Sequence, residues 1–92
     1  MIKSFGDRDT EKLFNRHSVR KWRAFERVAL RKLVMIHAAA SIDDLRVPPG
    51  NRLEKLKGGR DDEWSIRIIR QWRICFQWID DNAHAVSIED YH

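Results

Sequence analysis

The last third of the chain alternates strictly, and that pattern constrains the fold more than any other feature. Trp64, Ile66 and Ile68 are separated by Ser65 and Arg67, and Trp72, Ile74, Phe76 and Trp78 by Arg73, Cys75 and Gln77. Val86 and Ile88 alternate with Ser87 and Glu89. A period of two over three segments joined by short turns predicts an antiparallel meander with one apolar and one polar face. The turn residues Asp80-Asp81-Asn82 support the second hairpin. Residues directly opposite each other in an antiparallel pair share a face, so loop length fixes the register. A three-residue loop, Ile69-Arg70-Gln71, pairs Ile68 with Trp72 and Ile66 with Ile74, and sets Arg67 opposite Arg73. A two-residue loop would mix the arginines with the apolar set. By the same parity Ser87, Glu89 and Tyr91 join the arginine face. Two like charges face to face destabilise a sheet unless an anion lies between them. Glu89 could supply that anion from within, or a bound phosphate from outside, and parity leaves both open.

The apolar face needs a cover, and the first half of the chain provides it. Residues 21–40 predict the clearest helix: at 100° per residue Trp22, Phe25, Ala29, Leu33, Ile36 and Ala40 share one side. Arg20, Arg23, Arg27 and Arg31 fall on the opposite side, so this stripe faces solvent or an anionic partner. Met1–Phe5 reads as a short strand, and Asp7 or Asp9 can cap a short helix carrying Leu13 and Phe14. Ser41-Ile42-Asp43-Asp44 fits a capping box with Asp in place of the usual Glu or Gln. Val47-Pro48-Pro49-Gly50-Asn51 halts regular structure, because proline removes a donor and restricts its predecessor. Gly58-Gly59 predicts a turn before the sheet. The expected fold is α+β: an N-terminal strand and helices packed on a C-terminal antiparallel meander. With 92 residues it forms one domain, 1–92.

Charge is concentrated rather than large. There are 18 Lys and Arg against 14 Asp and Glu, a net charge of +4. Most of the excess lies in residues 16–32, and no Lys or Arg follows Arg73. A concentrated basic surface attracts polyanions, of which nucleic acid is the commonest. The single cysteine, Cys75, excludes an internal disulfide framework and a cysteine-built zinc site. No apolar run approaches the roughly 18–20 residues of a membrane span. Asp7, Arg8, Asp9 and Glu11 stand where a signal peptide would be apolar. A cytoplasmic protein is expected.

The chain ends Glu89-Asp90-Tyr91-His92, a dense set of groups able to exchange protons. Cleaving RNA without a metal needs a base for the ribose 2′-hydroxyl, a cation for the charged phosphorane and an acid for the departing 5′-oxygen. Histidine suits either proton role, and tyrosine needs nearby arginines before it can act as a base. His17, His37 and His84 do not have the spacing of a metal-binding H-E-x-x-H pair, so no metal or cofactor is expected. Cys75 lacks a paired base and reads as a small packed hydrophobe. Trp22, Trp64, Trp72 and Trp78 fall at core-facing phases.

Specific stretches resemble a known family. Pro48-Pro49-Gly50-Asn51-Arg52-Leu53-Glu54-Lys55-Leu56-Lys57-Gly58, followed by Trp64-Ser65-Ile66-Arg67, resembles the HigB branch of the RelE/ParE toxin superfamily. So do Gln71-Trp72-Arg73-Ile74-Cys75-Phe76, the terminal Asp90-Tyr91-His92 and the opening Met1-Ile2-Lys3-Ser4-Phe5. The resemblance implies a RelE-like microbial RNase fold and a ribosome-dependent endoribonuclease that cleaves mRNA without a metal. It also implies a HigA-like helix-turn-helix antitoxin, through which alone the toxin would reach operator DNA. Carried onto this sequence, Arg73 is the arginine that stabilises the reacting phosphate, with Arg67 on the same face and Lys57 at the cleft edge. Asp90, Tyr91 and His92 form the acid–base cluster. Glu54 stands where some HigB toxins carry a catalytic histidine, a departure that bears on cleavage rate rather than fold.

On this reading Arg73, Asp90, Tyr91, His92 and Glu54 are the candidate catalytic residues, and Lys57 and Arg67 hold phosphate. Arg20, Arg23, Arg27 and Arg31 would contact ribosomal RNA. As a residue of the open sheet face, Arg73 is expected to be exposed, so that Arg73→Ala removes activity and spares the fold. Two other functions remain: a non-enzymatic binder of ribosomal or other RNA, which the arginine stripe fits equally well, and a ParE-like gyrase inhibitor using the same fold against a protein target. The terminal Asp-Tyr-His cluster disfavours the latter.

Overall fold

The computed structural model describes residues 1–56 and 62–91. Within them the order is α1 (Arg8–Phe14), α2 (Glu26–Ala38), β1 (Glu54–Lys55), β2 (Glu63–Ile69), β3 (Trp72–Ile79) and β4 (Asn82–Asp90). A 3₁₀ turn at Arg20–Trp22 links α1 to α2, and two more, Ile42–Arg46 and Pro49–Asn51, lead from α2 to the sheet. The strands form one antiparallel sheet in the order β1-β2-β3-β4. Helices and sheet enclose one core, in which Leu33, Ile36, Leu45, Ile66, Ile74 and Val86 are fully buried.

The meander follows from its alternation, with one local difference. Ile66 pairs with Ile74 and Arg67 with Arg73, but Trp72 pairs with Ile69 rather than Ile68. The turn is the two residues Arg70-Gln71, and a bulge between Arg67 and Ile69 absorbs the extra residue. A bulge restores the parity that a two-residue turn would break, so the arginines still oppose each other. A second bulge, between Cys75 and Gln77, puts Ala85 at φ 52° and lets Ala83, Val86 and Ile88 all face the core. The sequence pattern does not anticipate β1, which sets Glu54 opposite Ser65 at the sheet edge.

The cover also differs in detail. The helix expected over residues 21–40 is divided into the 3₁₀ turn Arg20–Trp22 and α2, with Phe25 between them at φ −133°. The division aims two aromatics at the core. Trp22 is buried, and the Phe25 ring lies 5.1 Å from that of Trp72. Lys21 meanwhile reaches back to Asp9 of α1 at 2.9 Å. Asp7 caps α1 through the Thr10 N–H at 2.7 Å, and the buried Thr10 hydroxyl accepts from the Ile88 N–H at 3.0 Å, tying α1 to β4. The capping box at Ser41 and Asp44 forms as expected.

Met1–Phe5 makes two isolated parallel bridges, Ile2 with Ala83 and Phe5 with Val86, instead of a continuous strand. It is pinned by the Ile2 N–H donating to Nδ1 of His37 at 3.1 Å, which gives that histidine a structural partner. Proline does not fully halt regular structure at 47–51. Pro49 occupies the first position of a short turn, where its missing N–H costs nothing. The turn expected at Gly58-Gly59 lies outside the described residues. Among the described residues no helix is long and apolar enough to cross a membrane.

Candidate active site

The polar face of the sheet turns away from the helices, and its residues are fixed by strand pairing. Arg67 and Arg73 are directly opposite, as are Arg73 and Glu89, Cys75 and Ser65, and Cys75 and Ser87. Arg73 is the anchored member of the arginine pair. It is only 7% exposed, so it is a packed residue and not the open one expected from the alternation. Its Nε donates to Ser65 Oγ at 2.8 Å, and its Nη2 donates to the carbonyls of Arg52 at 2.6 Å and Ser65 at 3.3 Å. Arg67, half-buried, makes no hydrogen bond or ion pair with any described residue. The two guanidiniums thus differ in kind: one is oriented by the fold, the other is available.

Glu54, rather than Glu89, supplies the internal anion. One of its carboxylate oxygens lies 3.9 Å from Arg73 Nη2, with the Glu54 side chain largely exposed. Glu89 accepts from Ser87 Oγ at 2.7 Å and makes no ion pair with a described residue. Glu54 and Glu89 stand on the same face as Arg67 and Arg73, and Glu63 lies in line with Arg67 along β2, so the two arginines are set among carboxylates.

Tyr91 is held over this face. Its backbone N–H donates to the Gln71 carbonyl at 2.5 Å, extending the sheet contact beyond β4. The Cys75 thiol donates to the Tyr91 hydroxyl at 3.6 Å. Cys75 is buried, as expected of a small packed side chain, and it sits on the polar face outside the main apolar cluster. Asp90 pairs with Trp72, so by alternation it belongs to the helix-packed face and is separated from Glu89 and Tyr91. The expected single acid–base cluster is in this respect divided. His92 and Lys57 lie outside the described residues. A pocket of about 170 Å³ adjoins the site, lined by Glu63, Cys75, Gln77, Ser87 and Glu89 among others. No group of three His, Cys, Asp or Glu among the described residues is placed to hold a metal ion.

Arg20, Arg23, Arg27 and Arg31 are all exposed, but they lie on the helical layer and not around the cleft. The break before α2 leaves Arg27 and Arg31 one helical turn apart and moves Arg20 and Arg23 onto the 3₁₀ segment. Two contributors escaped sequence reasoning. Ser65 could have been found, since the register that opposes Arg67 and Arg73 also puts Ser65 on their face. The Arg52 carbonyl could not, because it depends on a left-handed backbone at φ 46°, ψ 56° that no residue type announces.

The chain is similar to known proteins in sequence and in fold. A family model described as a RelE-like toxin of the type II toxin–antitoxin system HigB matches residues 3–92. Toxin HigB-1 of Vibrio cholerae serotype O1 is 46% identical over 60 residues, 65% of this chain and 63% of that protein. Endoribonuclease HigB of Proteus vulgaris is 46% identical over 41 residues, 45% of each chain. Both matches span less than two thirds of the relative's own length. In fold, the chain is similar to a YoeB-YefM complex from Staphylococcus aureus, with a TM-score of 0.55 at 14% identity, covering 100% of this chain and 98% of that one. From residue 3 to its last residue this chain belongs to the HigB-like family of RelE-like toxins from type II toxin–antitoxin systems.

Proposed function

We propose that this toxin is a metal-independent endoribonuclease that cleaves mRNA presented by the ribosome, and that the arginine face of the sheet is where it does so. The observation that carries the reading is the contrast between Arg73, held by Ser65 and Arg52, and Arg67, whose donors no described residue takes. Stabilising a developing phosphorane calls for fixed positive charge where negative charge grows, and an oriented guanidinium supplies it without reorganisation. Arg67 binds the incoming phosphate, and Arg73 holds the charge of the transition state. Tyr91, whose hydroxyl accepts from the Cys75 thiol on the same face, supplies a proton-exchanging group. With His92 it exchanges the two protons of the reaction, one taken from the 2′-hydroxyl and one given to the departing 5′-oxygen, leaving a cyclic phosphate.

Glu54 stands at the sheet edge beside the cleft, and Lys57 would add a second cation for phosphate. Glu54, exposed and close to Arg73, acts as a second base or tempers phosphate affinity. Asp90, exposed at the end of β4, is the further proton carrier of the terminal cluster. The pocket beside the site has room for one base next to the scissile phosphate.

The helical layer gives the ribosome a second contact. Arg20, Arg23, Arg27 and Arg31 lie on it, and they meet ribosomal RNA while the sheet face meets the message. The partner in the cell is a HigA-like helix-turn-helix antitoxin, which would carry the toxin to operator DNA. The test is a translation reaction containing Arg67→Gln or Tyr91→Phe, each checked for folding. Loss of cleavage in both, with retained binding to ribosomes, is the expected result. Full activity in both overturns the assignment of the site.

A further inference from the structure

Behind the cleft lies a buried polar pair that the reaction as described does not use. Lys32, on α2, is 9% exposed, and its ammonium donates to Oδ1 of Asn51, which is completely buried. A buried cation is costly and is kept only where its hydrogen bonds are met. Among the described residues Lys32 has one neutral hydrogen-bond partner, it sits beside Arg31, and burial pushes its pKa down. Asn51 uses its whole carboxamide. Oδ1 accepts from Lys32, and Nδ2 donates to the Leu45 carbonyl at 3.1 Å and the Val47 carbonyl at 3.4 Å, against Met35 Sδ at 3.2 Å. One side chain thereby fixes the segment 45–51 onto α2.

The next residue turns that anchor toward the site. Arg52 is left-handed, at φ 46° and ψ 56°, a conformation that costs a non-glycine residue free energy and persists only where its surroundings impose it. Its N–H donates to the Pro49 carbonyl at 3.1 Å, and its own carbonyl accepts from Arg73 Nη2 at 2.6 Å. Ser65 holds the Nε side of the same guanidinium from within the sheet. Arg73 is therefore gripped by its neighbouring strand and by the loop that Asn51 anchors.

We propose that Asn51, held by the buried Lys32, is a positioning residue for Arg73, acting through the Arg52 carbonyl. The proposal rests on the reading of Arg73 as the transition-state cation. Asn51 never meets RNA. It sets the carbonyl that orients the guanidinium, and so the direction in which the free edge of Arg73 faces the cleft. Without Lys32 the buried Asn51 oxygen loses its donor, the carboxamide turns to find another, and the loop carries the Arg52 carbonyl away.

The experiment compares Lys32→Met and Asn51→Asp with the parent protein, using full chains and two readouts. Lys32→Met removes the buried charge but leaves the Asn51 oxygen without its donor, so the two effects on stability oppose each other and the protein stays folded. Asn51→Asp keeps a partner for Lys32 but loses both donors to the loop carbonyls. The first readout is the Arg73 Nη2–H resonance in RNA-free protein, the donor to the Arg52 carbonyl, expected to shift and exchange faster in both variants. The second is cleavage, expected to lose about tenfold or more in kcat, with KM within about threefold, since misplacement by about 1 Å costs that order in rate. Leu13→Ala, a core truncation on α1, should lower stability and leave the resonance in place. Variants whose Arg73 resonance is unchanged overturn the proposal, as does an unchanged kcat. If the parent protein cleaves no RNA, the reading of the site fails, while the resonance still decides whether the pair holds Arg73.

Discussion

Removing the Arg73 side chain should unfold part of the protein's stability as well as its chemistry. Its guanidinium is 7% exposed and donates to Ser65 Oγ, to the Ser65 carbonyl and to the Arg52 carbonyl. Arg73→Met keeps most of the stem, deletes all three bonds and leaves the acceptors behind. Bonds from a charged donor contribute about 1.5–3 kcal/mol each. The variant also sheds a buried cation, whose desolvation costs several kcal/mol. The net loss is about 2–4 kcal/mol, out of about 5–14 kcal/mol for a domain of this length. At about 4–8 °C per kcal/mol, the melting temperature should fall by roughly 10–30 °C.

Thermal unfolding followed by circular dichroism measures that fall. Single-turnover cleavage, run well below both transitions, then separates lost chemistry from lost fold. Arg73→Lys keeps the charge but cannot span the strand and the loop, and should fall between the parent and Arg73→Met in both assays. A melting temperature for Arg73→Met within about 3 °C of the parent, less than one kcal/mol on this scale, would refute the view that the fold grips this guanidinium.

Three further predictions follow from other residues. Burial depresses the Lys32 pKa, so the unfolded chain binds more protons at alkaline pH: stability should rise between the folded and unfolded values of Lys32, and Lys32→Met should remove that rise in urea titrations from pH 8 upward. The backbone N–H groups of Ala40 and Ser41 hold Asp44 below the usual carboxylate range, so the cap is intact above the unfolded value and is lost as pH falls through the folded one. The Ala40 and Ser41 amide resonances should report that loss, and Asp44→Asn should abolish it. Arg27→Glu with Arg31→Glu should leave stability within about 0.5 kcal/mol, because both are exposed, yet weaken ribosome association and flatten its dependence on salt. Unchanged salt dependence in a pelleting assay would remove the helical layer from the interface.

The sheet was legible in the sequence because period-two alternation specifies faces, and faces survive local irregularity. Arg67 opposes Arg73 as the parity requires, although a bulge and a two-residue turn stand where a three-residue loop was expected. The long helix was less legible. The same apolar spacing that predicts one helix over 21–40 is satisfied by a 3₁₀ turn followed by a helix, and the choice lies with Phe25 packing on Trp72, a contact 47 residues away in sequence. Alternation placed Arg73 on the right face but led to the expectation that it is exposed; its burial comes with the bonds to Ser65 and the Arg52 carbonyl. The terminal cluster shows the limit in another way. Adjacent residues of a strand face opposite sides, so Asp90 and Tyr91 could not share a face so long as the strand reached them. β4 runs to Asp90, and the two are indeed divided.

The central claim is that this toxin cuts RNA, and that the ribosome supplies positioning a domain this small lacks. End-mapping of a defined mRNA, incubated with the toxin with and without purified ribosomes, tests it most directly. Discrete cuts that appear with ribosomes, and are absent with Arg67→Gln, are the predicted result. An intact message at a toxin concentration that halts translation would contradict it.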